Sequence, residues 1–344
     1  MRGGIMSKIR AIQIAKPGAA FELVEREQPR AGRGEVVVIV EACGICHSDS
    51  IAKDGLLPGI PYPIVPGHEV AGVIDEVGEG VVGWQSGTRV GVGWFGGNCE
   101  PCRRGDLISC QNLRIPGVNM DGGYAEAMVA PVSGLVRIPD DLAAADAAPL
   151  LCAGVTTYNA LRHRGAQPGD MVAVFGIGGL GHLGVQFASK MGFRKVAIAR
   201  GAEKAALAKE LGAHHYINTE ADDLTKELTA LGGARAILST APDSKLTGAL
   251  VAGLSVRGAS IIIGLGSEPI HLSALDLVVG SRTVKGHASG ASIDSEDTLN
   301  FSVLSGVRAK IEKMPLERVA EAYERMMKAE ARFRMVLTMN PAKP

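Results

Sequence analysis

Two different rhythms of apolar and polar positions divide the chain. From about residue 8 to 150, short β-prone runs are broken repeatedly by glycine and proline. The clearest are 35–40 (EVVVIV), 70–74 (VAGVI), 88–92 (TRVGV) and 124–129 (YAEAMV). Short runs bounded by turn residues predict an antiparallel, barrel-like β domain. From about residue 170 the rhythm changes. A continuous apolar run at 171–175 (MVAVF) leads into helical spacing through Leu183, Phe187 and Met191. A second strand at 195–199, a helix over about 203–211, and strands at 234–238, 259–263 and 283–286 extend the series. Strands apolar on both faces that alternate with helices predict a doubly wound parallel sheet, so the expected class is α/β. Beyond about residue 289, helical spacing returns over 316–328 and one more strand is expected near 333–337. No internal repeat or low-complexity linker interrupts the pattern.

At 344 residues, two cores are expected rather than one. Lys+Arg and Asp+Glu both total 36, so no global field points to nucleic acid or an anionic membrane surface. No apolar run approaches the roughly 18 residues that a membrane span needs. The first ten residues lack the apolar stretch of a secretory signal, so a cytoplasmic protein is expected. The cysteines are Cys43, Cys46, Cys99, Cys102, Cys110 and Cys152; their CxxC spacing speaks for metal ligation rather than disulfides.

The segment Gly176-Ile177-Gly178-Gly179-Leu180-Gly181 lies between the apolar strand and the helix. In that position a GxGxxG loop is a dinucleotide fingerprint. Its first glycines allow a tight turn and close approach to a pyrophosphate, the last lets the helix pack on the sheet, and the helix start favours phosphate charge. An acidic residue at the next strand end would bind the ribose 2′-hydroxyl of NAD. Here that strand ends Ala199-Arg200-Gly201, with Lys204 a turn later. Arg200 and Lys204 suit a 2′-phosphate, so NADP(H) is the favoured cofactor and NAD(H) the alternative.

Three segments of the β domain offer thiol and imidazole groups: Gly44-Ile45-Cys46-His47-Ser48-Asp49, Gly67-His68-Glu69-Val70-Ala71-Gly72, and Leu151-Cys152. Two thiolates and one imidazole leave a fourth position open, as catalytic zinc requires. With Gly78 after five intervening residues and Val81 beyond, the second segment fits a family signature. The chain resembles the zinc-dependent medium-chain alcohol dehydrogenases along nearly its whole length. The Cys46-His47-Ser48-Asp49 and Gly93-Trp94-Phe95-Gly96 segments bring it nearest the bacterial and cinnamyl-alcohol-dehydrogenase-like branch.

The resemblance implies a GroES-like catalytic domain from 1–152 and 289–344, with a Rossmann domain at 153–288. It implies that Cys46, His68 and Cys152 hold the zinc, that Glu69 can enter its shell, and that Asp49 orients His68. Ser48 would pass on the substrate's hydroxyl proton, although the histidine that often ends this relay is replaced by Ile51. His47 and Arg334 would contact the cofactor pyrophosphate, Thr156 would pack on the nicotinamide, and Trp94 would wall the substrate pocket. The expected reaction is hydride exchange between NAD(P)(H) and a primary alcohol/aldehyde pair, zinc acting as Lewis acid. Polyol- or threonine-type dehydrogenation is the alternative reading, and non-catalytic NADPH binding a more distant one.

Relatives often carry a second, structural zinc in a CxxCxxCx7C lobe. Here Cys99, Cys102 and Cys110 fit the spacing but Gly96 stands in the first slot, so an empty or poorly filled site is expected unless Glu100, Asp106 or water completes it. The resemblance also implies a homodimer or homotetramer joined through the edge of the cofactor-domain sheet, with a small-molecule substrate as the other partner.

Overall fold

The computed structural model describes residues 7–163 and 165–339. The chain divides into two compact units. One gathers the described residues of Met1–Cys152, Gly290–Leu304 and Arg308–Pro344; the other gathers those of Ala153–Ser289 and Ser305–Val307.

In the first unit, β1 (Lys8–Ile14) and β2 (Phe21–Glu27) form an antiparallel pair. β3 (Glu35–Gly44) is the spine of the main sheet, flanked by β4 (Glu69–Val77), β5 (Arg89–Val92), β6 (Ala127–Pro131) and β7 (Leu135–Arg137). Its valines at 36, 37 and 38 are fully buried because the strand is paired along both edges, with β4 on one and β6 on the other. β-branched residues suit that doubly covered, pleated surface.

The second unit is a six-stranded parallel sheet: β8 (Met171–Phe175), β9 (Arg194–Ala199), β10 (His215–Asn218), β11 (Ala234–Ser239), β12 (Leu254–Ile262) and β13 (Thr283–Gly286). The spatial order is β10-β9-β8-β11-β12-β13, so the order reverses between β8 and β11. Ligands of open α/β sheets bind outside the strand carboxyl ends at such a reversal. All five residues of β8 are buried, as a central parallel strand demands.

Chain then returns to the first unit. β14 (Ile311–Pro315) pairs in parallel with β15 (Arg334–Thr338), and β15 runs antiparallel to residues 42–44 at the end of β3. This last pairing carries the C-terminal strand to the functional residues.

The architecture is GroES-like plus Rossmann, as the sequence implies, with several boundaries moved. The strand expected over 124–129 begins only at Ala127. Residues 124–126 instead hold β1: Tyr124 O accepts from Ile12 N at 2.8 Å, and the Glu126 carboxylate clasps Arg10. The helix expected over 316–328 opens with a 3₁₀ turn at Leu316–Arg318 and is α-helical over Val319–Met327. β2, β7, β10 and β14 are short or half-polar strands whose partners, rather than their own composition, make them strands. Among the described residues no helix is long and apolar enough to cross a membrane.

Candidate metal centre and cofactor loop

The four residues of the first-unit cluster sit at element junctions: Cys46 just after a strand, His68 and Glu69 at the start of one, and Cys152 between a 3₁₀ turn and a helix. β3 gives way to Cys46, which starts a 3₁₀ turn at His47–Asp49. His68 and Glu69 open β4, and Glu69 is in register with Gly44. Cys152 follows a 3₁₀ turn at Ala148–Leu151. Their ligand atoms all lie within 4.8 Å of one another, and the two sulfurs are 3.9 Å apart.

Asp49 organises this centre. Its carboxylate is 3% exposed, accepts the Cys46 backbone N–H at 2.8 Å and the Tyr124 hydroxyl at 2.7 Å, and lies 3.0 Å from His68 Nδ1. The δ nitrogen thus faces a carboxylate at ion-pair distance. Both ring nitrogens are buried, and among the described residues neither makes a hydrogen bond of full geometry. A buried orphan nitrogen beside two thiols is what a missing metal ligand bond leaves behind.

Burial and mutual contact also shift the protonation of these groups. Burial alone would lower the His68 pKa, but Asp49 and Cys46 overcome it and raise it. Cys46 is pulled below the usual thiol range by its hydrogen bond with Cys152 and by His68, while Cys152, on the other end of that bond and buried, is pushed up. Burial drives the Glu69 carboxyl up to about 7, with Arg334 opposing.

Arg334, at the start of β15, donates through Nη2 to Glu69, and both side chains are almost wholly buried. The sequence reading puts Arg334 on a pyrophosphate; its one described partner is Glu69, and its Nε is buried without one. Ser48 is half-buried and His47 exposed. The Trp94 ring meets the His68 imidazole edge-on at 6.2 Å between centroids. Cys43 is fully buried and stands apart from the cluster, against Gly67, where a Cβ would lie 2.8 Å from its sulfur and 2.4 Å from Tyr124. With φ at +99°, Gly67 is needed for both conformation and space. Tyr124 itself carries no motif, and sequence reading passes over it.

Two thiols, one imidazole and a nearby carboxylate are the donors that zinc takes at a catalytic site with an open position. The residues fit that metal.

The second cluster is different. Cys99, Cys102 and Cys110 converge, with Cys99 Sγ 3.3 Å from Cys102 and 3.9 Å from Cys110. Neither acid considered from the sequence joins them. Glu100 pairs with Arg104 at 2.6 Å, and Asp106 accepts the Ser109 backbone N–H at 3.2 Å. Four-ligand structural zinc does not fit the side chains present.

In the second unit, the loop after β8 is a cradle. Gly176 has φ +92°, and a Cβ on Gly181 would sit 1.7 Å from the Gly176 carbonyl oxygen. Around Gly178 nothing lies within 4 Å of an added Cβ, so backbone there is open to a ligand. Ile177 turns inward at 5% exposure, while Gly179 and Leu180 are half-exposed before the helix Gly181–Lys190. Thr156 is buried on the helix Ala153–Arg162.

β9 ends without a carboxylate, and Gly201 N is held by Asn218 Oδ1 at 2.9 Å. Arg200 is 80% exposed with Glu220 at 4.0 Å, and Lys204 is half-buried. The fold also brings a carboxylate that strand-end reading overlooks: Glu203 folds back to within 2.2 Å of where a Gly201 Cβ would stand.

A metal-ready β unit joined in one chain to a glycine-loop Rossmann unit defines a zinc-dependent nicotinamide dehydrogenase. Residues 32–140 match the family described as alcohol dehydrogenase GroES-like domain, and residues 179–303 match zinc-binding dehydrogenase. The chain is 42% identical over 327 residues to the alcohol dehydrogenase patD of Penicillium expansum, covering 94% of this chain and 95% of that protein. The solved structure of the Helicobacter pylori CAD complexed with NADP(H) superposes with TM-score 0.86 at 26% identity, covering 98% of this chain and all of that one. Acetophenone reductase from Geotrichum candidum, solved with NAD, gives TM-score 0.86 at 26% identity, covering 98% of each. The chain belongs to the zinc-dependent medium-chain alcohol dehydrogenases, and it is an oxidoreductase that uses zinc and a nicotinamide cofactor.

Proposed function

We propose that the enzyme interconverts primary alcohols and aldehydes, with NADP(H) as its favoured cofactor. Cys46, His68 and Cys152 would hold the zinc, with the Glu69 carboxylate beside them as a further donor. Bound there, zinc supplies a Lewis acid that polarises the substrate oxygen. Asp49 holds the Nδ1 side of the His68 ring, which would leave Nε2 available to the metal. Ser48 takes the hydroxyl proton of the alcohol and passes it outward. The reading of the substrate rests on Trp94: its ring, 6.2 Å from the His68 ring between centroids, narrows the approach and favours unbranched or aromatic primary alcohols over polyols.

Gly176 to Gly181 would cradle the pyrophosphate, with Thr156 packing on the nicotinamide. Arg200 and Lys204 would take the 2′-phosphate. The Arg200–Glu220 pair is exposed on both sides, worth about 0–1 kcal/mol, whereas a charged hydrogen bond to phosphate contributes about 1.5–3 kcal/mol. A 2′-phosphate bound there would compete with Glu220 for Arg200.

β13 is the free edge of the parallel sheet, and the preceding helix Ala274–Gly280 exposes Leu275, Val278 and Val279 at 71–76%. That apolar face supports a homodimer or homotetramer. The domain reading, 1–152 with 289–344 as catalytic and 153–288 as cofactor-binding, stands with this proposal. Free thiols at all six cysteines support a reducing, cytoplasmic location.

Steady-state kinetics on an aldehyde panel with both cofactors tests the reading. A higher kcat/KM with NADPH on primary aldehydes is expected; preference for NADH would remove the Arg200 assignment. Cys46→Ser should abolish most turnover yet leave nucleotide binding intact, and full turnover in that variant would remove the zinc assignment.

A further inference from the structure

We propose that Cys99, Cys102 and Cys110 form a three-thiolate site for a soft ion satisfied by three sulfurs, such as trivalent arsenic or monovalent copper, in place of a closed four-ligand zinc site. The sulfurs are spaced for a shared ion. Three sulfurs about 2.3 Å from one shared ion lie about 4.0 Å apart when the arrangement is planar and closer when it is pyramidal. Cys99 Sγ lies 3.3 and 3.9 Å from its neighbours, and all three sulfurs lie within 4.8 Å. A backbone N–H already turns toward them: Asn112 N is 3.4 Å from Cys110 Sγ.

The fourth vertex is where this chain departs from a zinc lobe. A Cβ built on Gly96 would lie 2.5 Å from Cys102 Sγ and 3.3 Å from Cys110 Sγ, so position 96 faces the cluster and a side chain there fits only if the Cys102 thiol moves aside. Glycine supplies none. Glu100 and Asp106 are engaged with Arg104 and Ser109. Zinc bound here would keep water as its fourth ligand and exchange readily, whereas softer ions select thiolates and need no fourth donor.

With arsenous acid as the probe, each thiol gives its proton to one arsenic hydroxyl. Three As–S bonds replace three As–O bonds, and three waters leave. No electrons are transferred.

The test uses the zinc-loaded enzyme, dialysed against a mild chelator, exposed to arsenous acid and weighed intact by native mass spectrometry. One firmly held zinc per chain and a single adduct of arsenic less three protons are expected, with turnover retained. Cys102→Ser should lose the adduct, and Cys46→Ser should keep it, which separates this site from the catalytic one. Gly96→Cys should raise firmly held zinc to two per chain and suppress arsenic uptake. Two firmly held zinc ions in the unmodified enzyme would overturn the proposal. So would an adduct that survives Cys102→Ser or disappears with Cys46→Ser, or a Gly96→Cys enzyme that gains no zinc.

Discussion

Asp49 shows how one buried carboxylate serves three masters: a backbone amide, a phenol and an imidazole. Tyr124→Phe removes a single oxygen from that arrangement and leaves the ring in the core. Groups that orient a metal's ligands typically account for 10–100-fold in affinity, so zinc binding should weaken by about that factor. Chelator competition measures it; affinity equal to the unmodified enzyme would make Tyr124 a packing residue only. The Glu69–Arg334 pair is a starker case, with both side chains nearly inaccessible. Arg334→Met strands a buried carboxylate, and breaking such a pair costs about 3–5 kcal/mol. The urea midpoint should fall accordingly, and the Glu69→Gln/Arg334→Met double variant should recover part of the loss. A variant as stable as the parent would mean that water reaches Glu69.

Elements of the Rossmann unit begin and end on local signals. Asp223 caps the helix Leu224–Ala230 by accepting the Lys226 N–H at 3.0 Å, and Asp243 caps Ser244–Ala249 in the same way at 2.9 Å. Asp223→Ala should cost about 1 kcal/mol, read from chemical denaturation. No loss would show that this helix start is held by packing alone. The glycine loop is less forgiving. A methyl group at Gly181 would meet a backbone oxygen at 1.7 Å, and no rotamer change relieves a clash with main chain. Gly181→Ala should therefore lose nucleotide binding, followed by NADPH fluorescence, while zinc content is unchanged. NADPH affinity equal to the parent would show that the loop does not need this close approach.

Assembly belongs to the whole molecule. Three apolar side chains on one short helix, each more than two-thirds exposed beside a free parallel edge, are costly to leave in water. Val278→Glu with Val279→Lys should reduce the protein to monomers by light scattering, with the circular dichroism of each unit retained. A parent enzyme that is already monomeric would refute the assembly reading.

The sequence alone was sufficient for what depends on short-range spacing. A glycine loop between a buried strand and a helix, the Gly67-His68-Glu69 segment, and three cysteines within twelve positions are each legible because a turn or two of backbone determines where those groups point. The two-rhythm hydrophobic pattern was legible for the same reason, since burial on one or both faces imposes its own period. Short polar strands such as β10 and β14 were not legible, because their pairing is decided by neighbours. Nor were Arg334 as the partner of Glu69 and Tyr124 as a partner of Asp49, which lie 265 and 75 positions away. Only the register of β15 on β3 brings Arg334 to the metal centre. The return of residues 124–126 against β1 likewise brings the chain at Tyr124 into the core that holds Asp49. The carboxylates near Arg200 and the aim of Gly96 at three sulfurs are likewise tertiary facts, because side-chain convergence across a fold has no period along the chain.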